Sequence, residues 1–213
     1  MDLELARRVF VLDGESDGLG LGLATARELV SEGARVVISA CDEAAVADAV
    51  HQLGGAAHAD GVAGDLADPA VADEVVGTAM RRFGRFDGAF LSVREREQWA
   101  HAIDAARAFA GRLEDGGAIA MSLPDARCPG LDGATADIAH EFASRRVRFL
   151  GLIPGRIAPL PAATASSGGE EAGRIPLRRW GRPNEFGRVA AFALSPAASY
   201  LTGVVIPVDG GAH

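Results

Sequence analysis

The chain has 213 residues, a formal net charge of −8 and a pI of about 5.1. A chain of this size can bury a core, and its acidity argues against nucleic acid or an anionic membrane as a partner. Residues 1–4 include two acids and no apolar segment, and no later apolar run is long enough to span a bilayer, so neither a secretory signal nor a membrane anchor is predicted. The two cysteines, Cys41 and Cys128, need not pair, and we expect a cytoplasmic protein.

Apolar strand-like runs alternate with helical periodicity along the chain, which is typical of a parallel sheet with helices on both faces. We therefore predict a single α/β domain over residues 1–213, a Rossmann-type doubly wound sheet of about seven strands with its ligand crevice where the strands end. The predicted strands cover residues 8–12, 35–39, 61–64, 88–92, 118–122, 147–153 and 204–208. The predicted helices cover residues 19–32, 43–52, 69–83, 96–112, 131–145 and 184–194.

The first strand leads through a glycine-containing loop into the first helix. Glycines stand at positions 14, 18 and 20, directly after the apolar run that ends at Leu12. Glycines let the backbone approach a ligand, and a helix N-terminus offers N–H groups and the positive end of its dipole. The combination predicts a site for a nucleotide phosphate; the alternative is that these glycines serve the turn alone.

The Gly-x-x-x-Gly-x-Gly spacing resembles that of the short-chain dehydrogenase/reductase family. Residues 174–211 are similar to the C-terminal third of that family, and residues 147–155 are similar to its strand ending in Pro-Gly, here Pro154 and Gly155. The resemblance covers nearly the whole chain and is nearest to the ketoacyl-carrier-protein reductases. It implies the Rossmann-type fold and, because the chain is short for the family, a sheet shortened on its ligand side.

The resemblance implies NAD or NADP as the cofactor. Asp65 matches the aspartate that receives the adenine amino group, although a helix N-cap is an alternative role for it. The residues that the resemblance assigns to the cofactor are Gly14, Gly18, Gly20, Asp65, Pro154 and Gly155.

Two departures from the family leave cofactor binding open. Acids stand in the loop at Asp13, Glu15 and Asp17, and a carboxylate close to a pyrophosphate repels it by roughly 1 to 4 kcal/mol. The second strand ends in Ala40 and Cys41, where NAD-binding members normally place an acid and NADP-binding members an arginine. The sequence is therefore compatible with a chain that binds the dinucleotide and with one that has lost this binding.

The family's catalytic relay cannot be assembled in this chain. A family member transfers a proton through a tyrosine whose pKa is lowered by a lysine four residues later, with a serine and an asparagine in support. This chain contains no lysine, and Tyr200 and Asn184 are its only tyrosine and asparagine. The Asn-Asn-Ala-Gly motif is replaced at residues 91–94, and Ser122 lies inside the fifth strand instead of in the serine-bearing loop. We assign no catalytic residue.

Other groups do not form a recognisable replacement. His101, His140, Asp125 and Arg127 lie where the family builds its substrate side, but solvated or interface roles suit each of them better. The histidines and cysteines lack metal-ligand spacing. Residues 159–173 are rich in small residues and proline and correspond to the family's substrate lid.

The pattern favours a degenerate family subunit that pairs with and supports an active NAD(P)-dependent oxidoreductase. In the family, one subunit interface uses the helix over 184–194 with the last strand, and another uses the helices over 96–112 and 131–145. The resemblance implies β-hydroxy or β-keto acyl, or aminoacyl, carrier-protein thioester chemistry, as in the hetero-oligomers of aminocoumarin-type antibiotic pathways. Self-association, an atypical NAD(P)H-dependent reductase with another proton donor, and a ligand sensor or scaffold remain the alternatives.

Overall fold

The computed structural model describes residues 2–14, 20–93, 98–123, 131–158 and 172–212, without the side chains of residues 99, 131 and 132. The strands are β1 (Val9–Asp13), β2 (Arg35–Ala40), β3 (Ala59–Ala63), β4 (Gly88–Ser92), β5 (Ala118–Ser122), β6 (Arg148–Pro154) and β7 (Val204–Val208). The helices are α1 (Leu21–Ser31), α2 (Glu43–Gln52), α3 (Pro69–Phe83), α4 (Trp99–Arg112), α5 (Leu131–Glu141) and α6 (Pro183–Leu194).

All seven strands form one parallel sheet in the order β3-β2-β1-β4-β5-β6-β7. Strands β2 and β3 therefore lie on one side of β1, and strands β4 to β7 follow in order on its other side. This order confirms the predicted doubly wound sheet. We call the edge at which the strands end the carboxyl edge and the opposite edge the amino edge.

Alternating strand residues feed two apolar layers, one on each face of the sheet. One layer joins Val11 and Phe149 to α3, α4 and α5. The other joins Phe10 and Leu150 to α1, α2 and α6. Because both faces are buried, the inner strands read as continuous apolar runs, as parallel sheets require.

The predicted boundaries of β4, β5, β7, α2 and α3 are confirmed, and the other elements differ by a few residues. Helix α1 begins at Leu21 because Gly20 is its N-cap, with a left-handed φ of 72°. Strand β3 begins two residues before its prediction. Helix α5 ends at Glu141, ahead of a 3-10 turn over residues 143–145 that closes on Arg146 at a φ of 57°. Within the described ranges, no helix is long and apolar enough to cross a membrane.

Candidate functional site

The carboxyl edge between β1 and β4 is the point where the strand order reverses. In open parallel sheets, ligands bind in the crevice that this reversal opens. The predicted cofactor residues that the structure describes all follow or end strands at this edge: Gly14, Gly20, Asp65, Pro154 and Gly155. Gly18 lies outside the described residues.

At two positions of the predicted phosphate loop, the local structure explains why the residue is glycine. The N–H of Gly14 donates to the carbonyl oxygen of Ser39 at 2.9 Å, and a Cβ on Gly14 would lie 2.7 Å from that oxygen and from Cγ1 of Ile38. Gly20 takes the left-handed conformation at the start of α1, and its carbonyl accepts from the N–H of Ala24 at 2.9 Å. Along the chain, strand β1 is thus followed by a helix whose N-terminus lies at the carboxyl edge, an arrangement that suits a pyrophosphate.

Gly22 is a position that the sequence reasoning missed. A Cβ on Gly22 would lie 1.7 Å from the carbonyl oxygen of Asp13, so only glycine lets the first turn of α1 pack against the end of β1. The signal was present in the sequence as one more glycine at a spacing of two after Gly20. The acids Glu15 and Asp17 lie outside the described residues, whereas Asp13 is partly buried at the end of β1.

The end of β2 offers neither group that normally distinguishes NAD from NADP. Ala40 is buried and Cys41 is exposed. Asp42, the next residue, is the N-cap of α2, where its carboxylate accepts from the N–H of Ala45 at 2.8 Å. This hydrogen bond holds the pKa of Asp42 below its usual value, so the carboxylate stays ionised at neutral pH.

Asp65 is exposed at the end of β3, and its carboxylate accepts from the N–H of Ala67 at 2.8 Å. The N-cap of α3 is Asp68, which accepts from the N–H of Ala70. The alternative in which Asp65 is the helix N-cap is therefore wrong, because the N-cap lies three residues later, at Asp68. The role of Asp65 toward an adenine stays a prediction.

Gly155 follows Pro154, the last residue of β6. Its N–H donates to the carbonyl oxygen of Val208 at 3.0 Å, and a Cβ would lie 2.4 Å from the Cα of Asp209. The glycine is thus required by the close approach of the chain after β7. Its contact with a cofactor stays a prediction.

Buried hydroxyl groups lie at the ends of three strands, a feature that sequence reasoning did not assign. Ser92 and Ser122 are register partners on β4 and β5 and point to the face of α1 and α6, because they alternate with residues of the other layer. The Oγ atoms of Ser92 and of Ser39 are buried and have no hydrogen-bond partner among the described residues. Buried hydroxyls are normally hydrogen-bonded, so these two mark positions where a bound polar group would be stabilised.

The candidate proton donors lie away from the crevice or at its rim. Tyr200 is fully exposed in the turn before β7, where the N–H of Gly203 donates to the carbonyl oxygen of Phe149 near the start of β6. Tyr200 is therefore at the amino edge, opposite the crevice. His140 lies near the end of α5, also toward the amino edge, and His101 is exposed near the start of α4. Asp125 and Arg127 lie outside the described residues.

The described crevice therefore fits a dinucleotide in backbone shape but not in side-chain chemistry. The turn at Gly14 and the N-terminus of α1 are the parts of the described chain that would hold a phosphate. A bound nicotinamide cofactor would supply hydride transfer, and this chain would contribute position and backbone dipoles. Within the described residues, no group of three histidine, cysteine or acidic side chains could hold a metal ion.

A second concavity, with a volume of about 650 Å³, lies beyond the ends of β6 and β7. Its walls combine apolar side chains, such as Ile157, Leu177 and Val189, with the charged pair Arg179 and Glu185. Arg179 donates two hydrogen bonds to that carboxylate, at 2.7 and 2.6 Å, and they hold the pKa of Glu185 below its usual value. This ion pair holds the segment before α6 against the first turn of that helix.

Curated relatives align over nearly their whole length. The chain is 29% identical to a 3-oxoacyl-[acyl-carrier-protein] reductase of Synechocystis, covering 97% of each protein. It is 30% identical to an uncharacterized oxidoreductase of Mycobacterium tuberculosis, covering 96% of this chain and 91% of the relative. The alignment with an oxidoreductase of Methylorubrum extorquens spans 246 positions, so at least 33 of them have no counterpart in the 213 residues of this chain. That the missing positions lie on the ligand side stays a prediction.

Solved structures share the fold over the whole chain. A short-chain dehydrogenase/reductase of Brucella melitensis superposes with a TM-score of 0.81 at 23% identity, covering 100% of this chain and 99% of its own. A blue fluorescent protein from a metagenomic library, in complex with NADPH, gives 0.78 at 22%, covering 98% of both chains. A short chain oxidoreductase of Pseudomonas aeruginosa with an atypical catalytic centre gives 0.80 at 23%, again covering 98% of both.

Two family profiles together cover most of the sequence. The profile of short chain dehydrogenases matches residues 9–104, and that of enoyl-(acyl carrier protein) reductases matches residues 126–213. The first spans the glycine loop and the ends of β1 to β4, and the second spans β6, α6 and β7. This chain belongs to the short-chain dehydrogenase/reductase family.

Proposed function

We propose that this chain is a non-catalytic subunit that pairs with an active oxidoreductase of its own family and supports it. The observation that carries the proposal is the lost proton relay: the sequence has no lysine, and its single tyrosine is at the wrong edge of the sheet. A phenol has a pKa near 10 and transfers a proton slowly at neutral pH unless a neighbouring cation lowers that pKa. Fully exposed and opposite the crevice, Tyr200 has no route to a substrate held there.

The region that the family uses for assembly is present and ordered. Strand β7 is an edge strand on which every residue is at least partly exposed. Three of the four exposed large apolar side chains among the described residues lie along it or at its ends. We call these residues, Leu177, Tyr200 and Val204, the β7 surface. Exposed apolar side chains along the outermost strand of a sheet favour a protein interface there.

Helices α4 and α5 offer less to a partner. None of the exposed large apolar side chains belongs to the described part of either helix, and Arg107 of α4 pairs with Glu141 of α5 at 3.0 Å across their outer faces. We therefore assign the partner to the β7 surface.

The chemistry that we propose for the complex is oxidation or reduction at the β-position of an acyl or aminoacyl carrier-protein thioester in secondary metabolism. The names of relatives that act on 3-oxoacyl carrier proteins support this substrate class. The partner supplies the tyrosine and lysine. We propose that the partner also binds the working NAD(P), because this chain has Ala40 and Cys41 at the two positions where family members normally place the acid or the arginine that contacts the ribose.

The test is to express the chain with and without family members from its own organism that retain Tyr-x-x-x-Lys. A stable complex in which the partner gains solubility or turnover supports the proposal. Turnover of a ketone or β-ketoacyl thioester with NADH or NADPH by the pure chain, at an ordinary enzymatic rate, would contradict it.

An atypical reductase is the second candidate, favoured by the buried hydroxyls of Ser92 and Ser122 at the crevice. A structural neighbour described as having an atypical catalytic centre supports this alternative. Hydride transfer needs the cofactor and good geometry, so losing the tyrosine lowers the rate without forbidding the reaction. A fluorescence change of NADPH on binding, lost in the variant Ser92→Val, would support this candidate; no change at millimolar NADPH or NADH would end it.

A further inference from the structure

The segment that leads to α6 carries the opposite charge to the chain as a whole. Residues 172–188 hold five arginines and one glutamate, whereas the whole chain has a net charge of −8. Arg174, Arg178 and Arg182 are exposed, and we call them the arginine cluster. A positive patch on an acidic protein is a specific feature of its surface field and not a consequence of composition.

The charge of the cluster is only partly offset within the described ranges, by the electrostatic attraction between Glu185 and Arg182. The one glutamate of the segment, Glu185, is engaged by Arg179 through two hydrogen bonds. Arg188 pairs with Glu28 of α1 at 3.6 Å. No described carboxylate forms an ion pair with a member of the cluster, and Arg178 donates only to the carbonyl oxygen of Gly173 at 3.3 Å. The three guanidinium groups are therefore available to a partner.

The cluster stands on fixed backbone beside the β7 surface. Ile175 is buried, and the N–H of Leu177 donates to the carbonyl oxygen of Gly210, just after β7, at 3.2 Å. Gly181 donates to the carbonyl oxygen of Arg156 at 2.9 Å. Leu177 is 63% exposed, stands between Arg174 and Arg178 in the sequence, and forms part of the wall of the 650 Å³ pocket. Cations, an exposed apolar side chain and a pocket thus share one ordered surface.

We propose that the arginine cluster docks an acidic surface of the partner subunit, and that an apolar side chain of that surface enters the pocket beside Leu177. This inference rests on the proposed function and names the chemistry of its partner. Charge complementarity selects the occupant: a two-fold contact centred on the cluster would place the cluster against its own copy, and like charges repel. The surface therefore selects a different chain over a second copy.

The experiment uses the full chain and a partner identified by capture from the source organism and then produced recombinantly. The triple variant R174E/R178E/R182E is compared with R7E/R35E/R81E, which changes the net charge equally at three exposed arginines near the amino edge that form no ion pair with a described residue. Each set includes one residue with left-handed backbone, Arg178 or Arg7, so backbone strain is also matched. Unfolding curves of both variants establish that they fold, and the single variants R174E and R182E replace the triple if it does not.

We expect the cluster variant to bind the partner roughly 10- to 100-fold more weakly at about 50 mM salt, which corresponds to three exposed ion pairs. The difference should shrink at about 500 mM salt, where exposed charges are screened. The control variant should bind within about threefold of wild type, because rim charges act locally.

Several results would overturn the inference. Capture of no family member would overturn it together with the proposed function. A captured family member that binds both triple variants equally would overturn this inference alone. Homodimers that dissociate in the cluster variant would assign the surface to a second copy, and duplex DNA that binds wild type but not the cluster variant would assign it to a nucleic acid.

Discussion

Arg148 ties the end of α6 to the sheet and offers a direct test of how the C-terminal region is held. Its side chain is 6% exposed, and the guanidinium donates to the carbonyl oxygens of Ala193 at 2.7 Å and Ser195 at 2.9 Å. These carbonyls end α6, where the negative pole of the helix dipole favours a cation. Burial lowers the pKa of Arg148 to about 10, so the side chain is charged at neutral pH.

The variant Arg148→Met retains an apolar stem and removes both hydrogen bonds. A hydrogen bond from a charged donor contributes about 1.5–3 kcal/mol, so the loss is about 3–6 kcal/mol. The variant also removes the cost of burying the charge, about 3 kcal/mol for a pKa lowered to about 10. Subtracted from the midpoint of that loss, about 4.5 kcal/mol, this cost leaves a net destabilisation of about 1.5 kcal/mol, which lowers the Tm of a chain of this size by about 3–6 °C.

The assay is thermal and urea unfolding followed by circular dichroism, with Arg174→Met as the control. Arg174 is exposed and forms no ion pair with a described residue, so its removal should change stability by less than about 0.5 kcal/mol. Arg148→Lys should fall between wild type and Arg148→Met, because one ammonium cannot reproduce the planar fork that reaches two carbonyls. A Tm of Arg148→Met within about 1 °C of wild type would refute the reasoning.

Further predictions concern three other positions. Gly22→Ala places a methyl group against the carbonyl oxygen of Asp13, and we expect it to cost about 3 kcal/mol or more in urea unfolding, unlike Gly111→Ala on open helix surface. Asp87→Asn weakens the charged contacts of a carboxylate that is 3% exposed and pairs with two arginines, and a loss of about 3 kcal/mol is expected; unchanged stability would contradict the assignment. Glu185→Gln should be destabilised at pH 7 but differ little from wild type at pH 3. The pKa of Glu185 is lowered, so its stabilisation is present above its ordinary value and is lost as the pH falls through the folded value. A difference that persists at pH 3 would contradict this.

Most of the sheet could be predicted from the sequence because its signals are local. Continuous apolar runs and helical periodicity place the strands and helices, and apolar strands buried on both faces leave little freedom in their assignment. Two of the boundaries that moved, the start of α1 and the end of the α5 region, lie beside residues with left-handed backbone, Gly20 and Arg146. Only the first of these is a glycine, and a left-handed arginine leaves no signal in sequence.

The crevice could be placed at the correct edge, but its contents could not be predicted in full. Asp65 reads as a helix N-cap because an aspartate precedes a helical pattern, yet Asp68 performs that role three residues later. The unpartnered hydroxyls of Ser39 and Ser92 depend on which face each strand residue occupies and on what packs above it. These features depend on packing between residues that are distant in the sequence, and a single sequence does not specify that packing.

The arginine-rich segment was visible in the sequence as composition only. Its interpretation as a docking surface depends on the pairing of Glu185 with Arg179, which leaves the arginine cluster without an ion pair among the described residues. It also depends on the hydrogen bond from the N–H of Leu177 to the carbonyl oxygen of Gly210, which fixes the segment beside β7. Similarly, Tyr200 matches a family position in the sequence, but only the sheet shows that this position is at the amino edge.

Native mass spectrometry of the tagged chain purified from its own organism tests the central claim most directly. The account predicts a hetero-oligomer that contains a second short-chain dehydrogenase/reductase with an intact Tyr-x-x-x-Lys pair. A homo-oligomer that retains a dinucleotide and reduces a ketone would contradict it and establish an unusual enzyme. A homo-oligomer with neither dinucleotide nor activity would also contradict it, in favour of a sensor or scaffold.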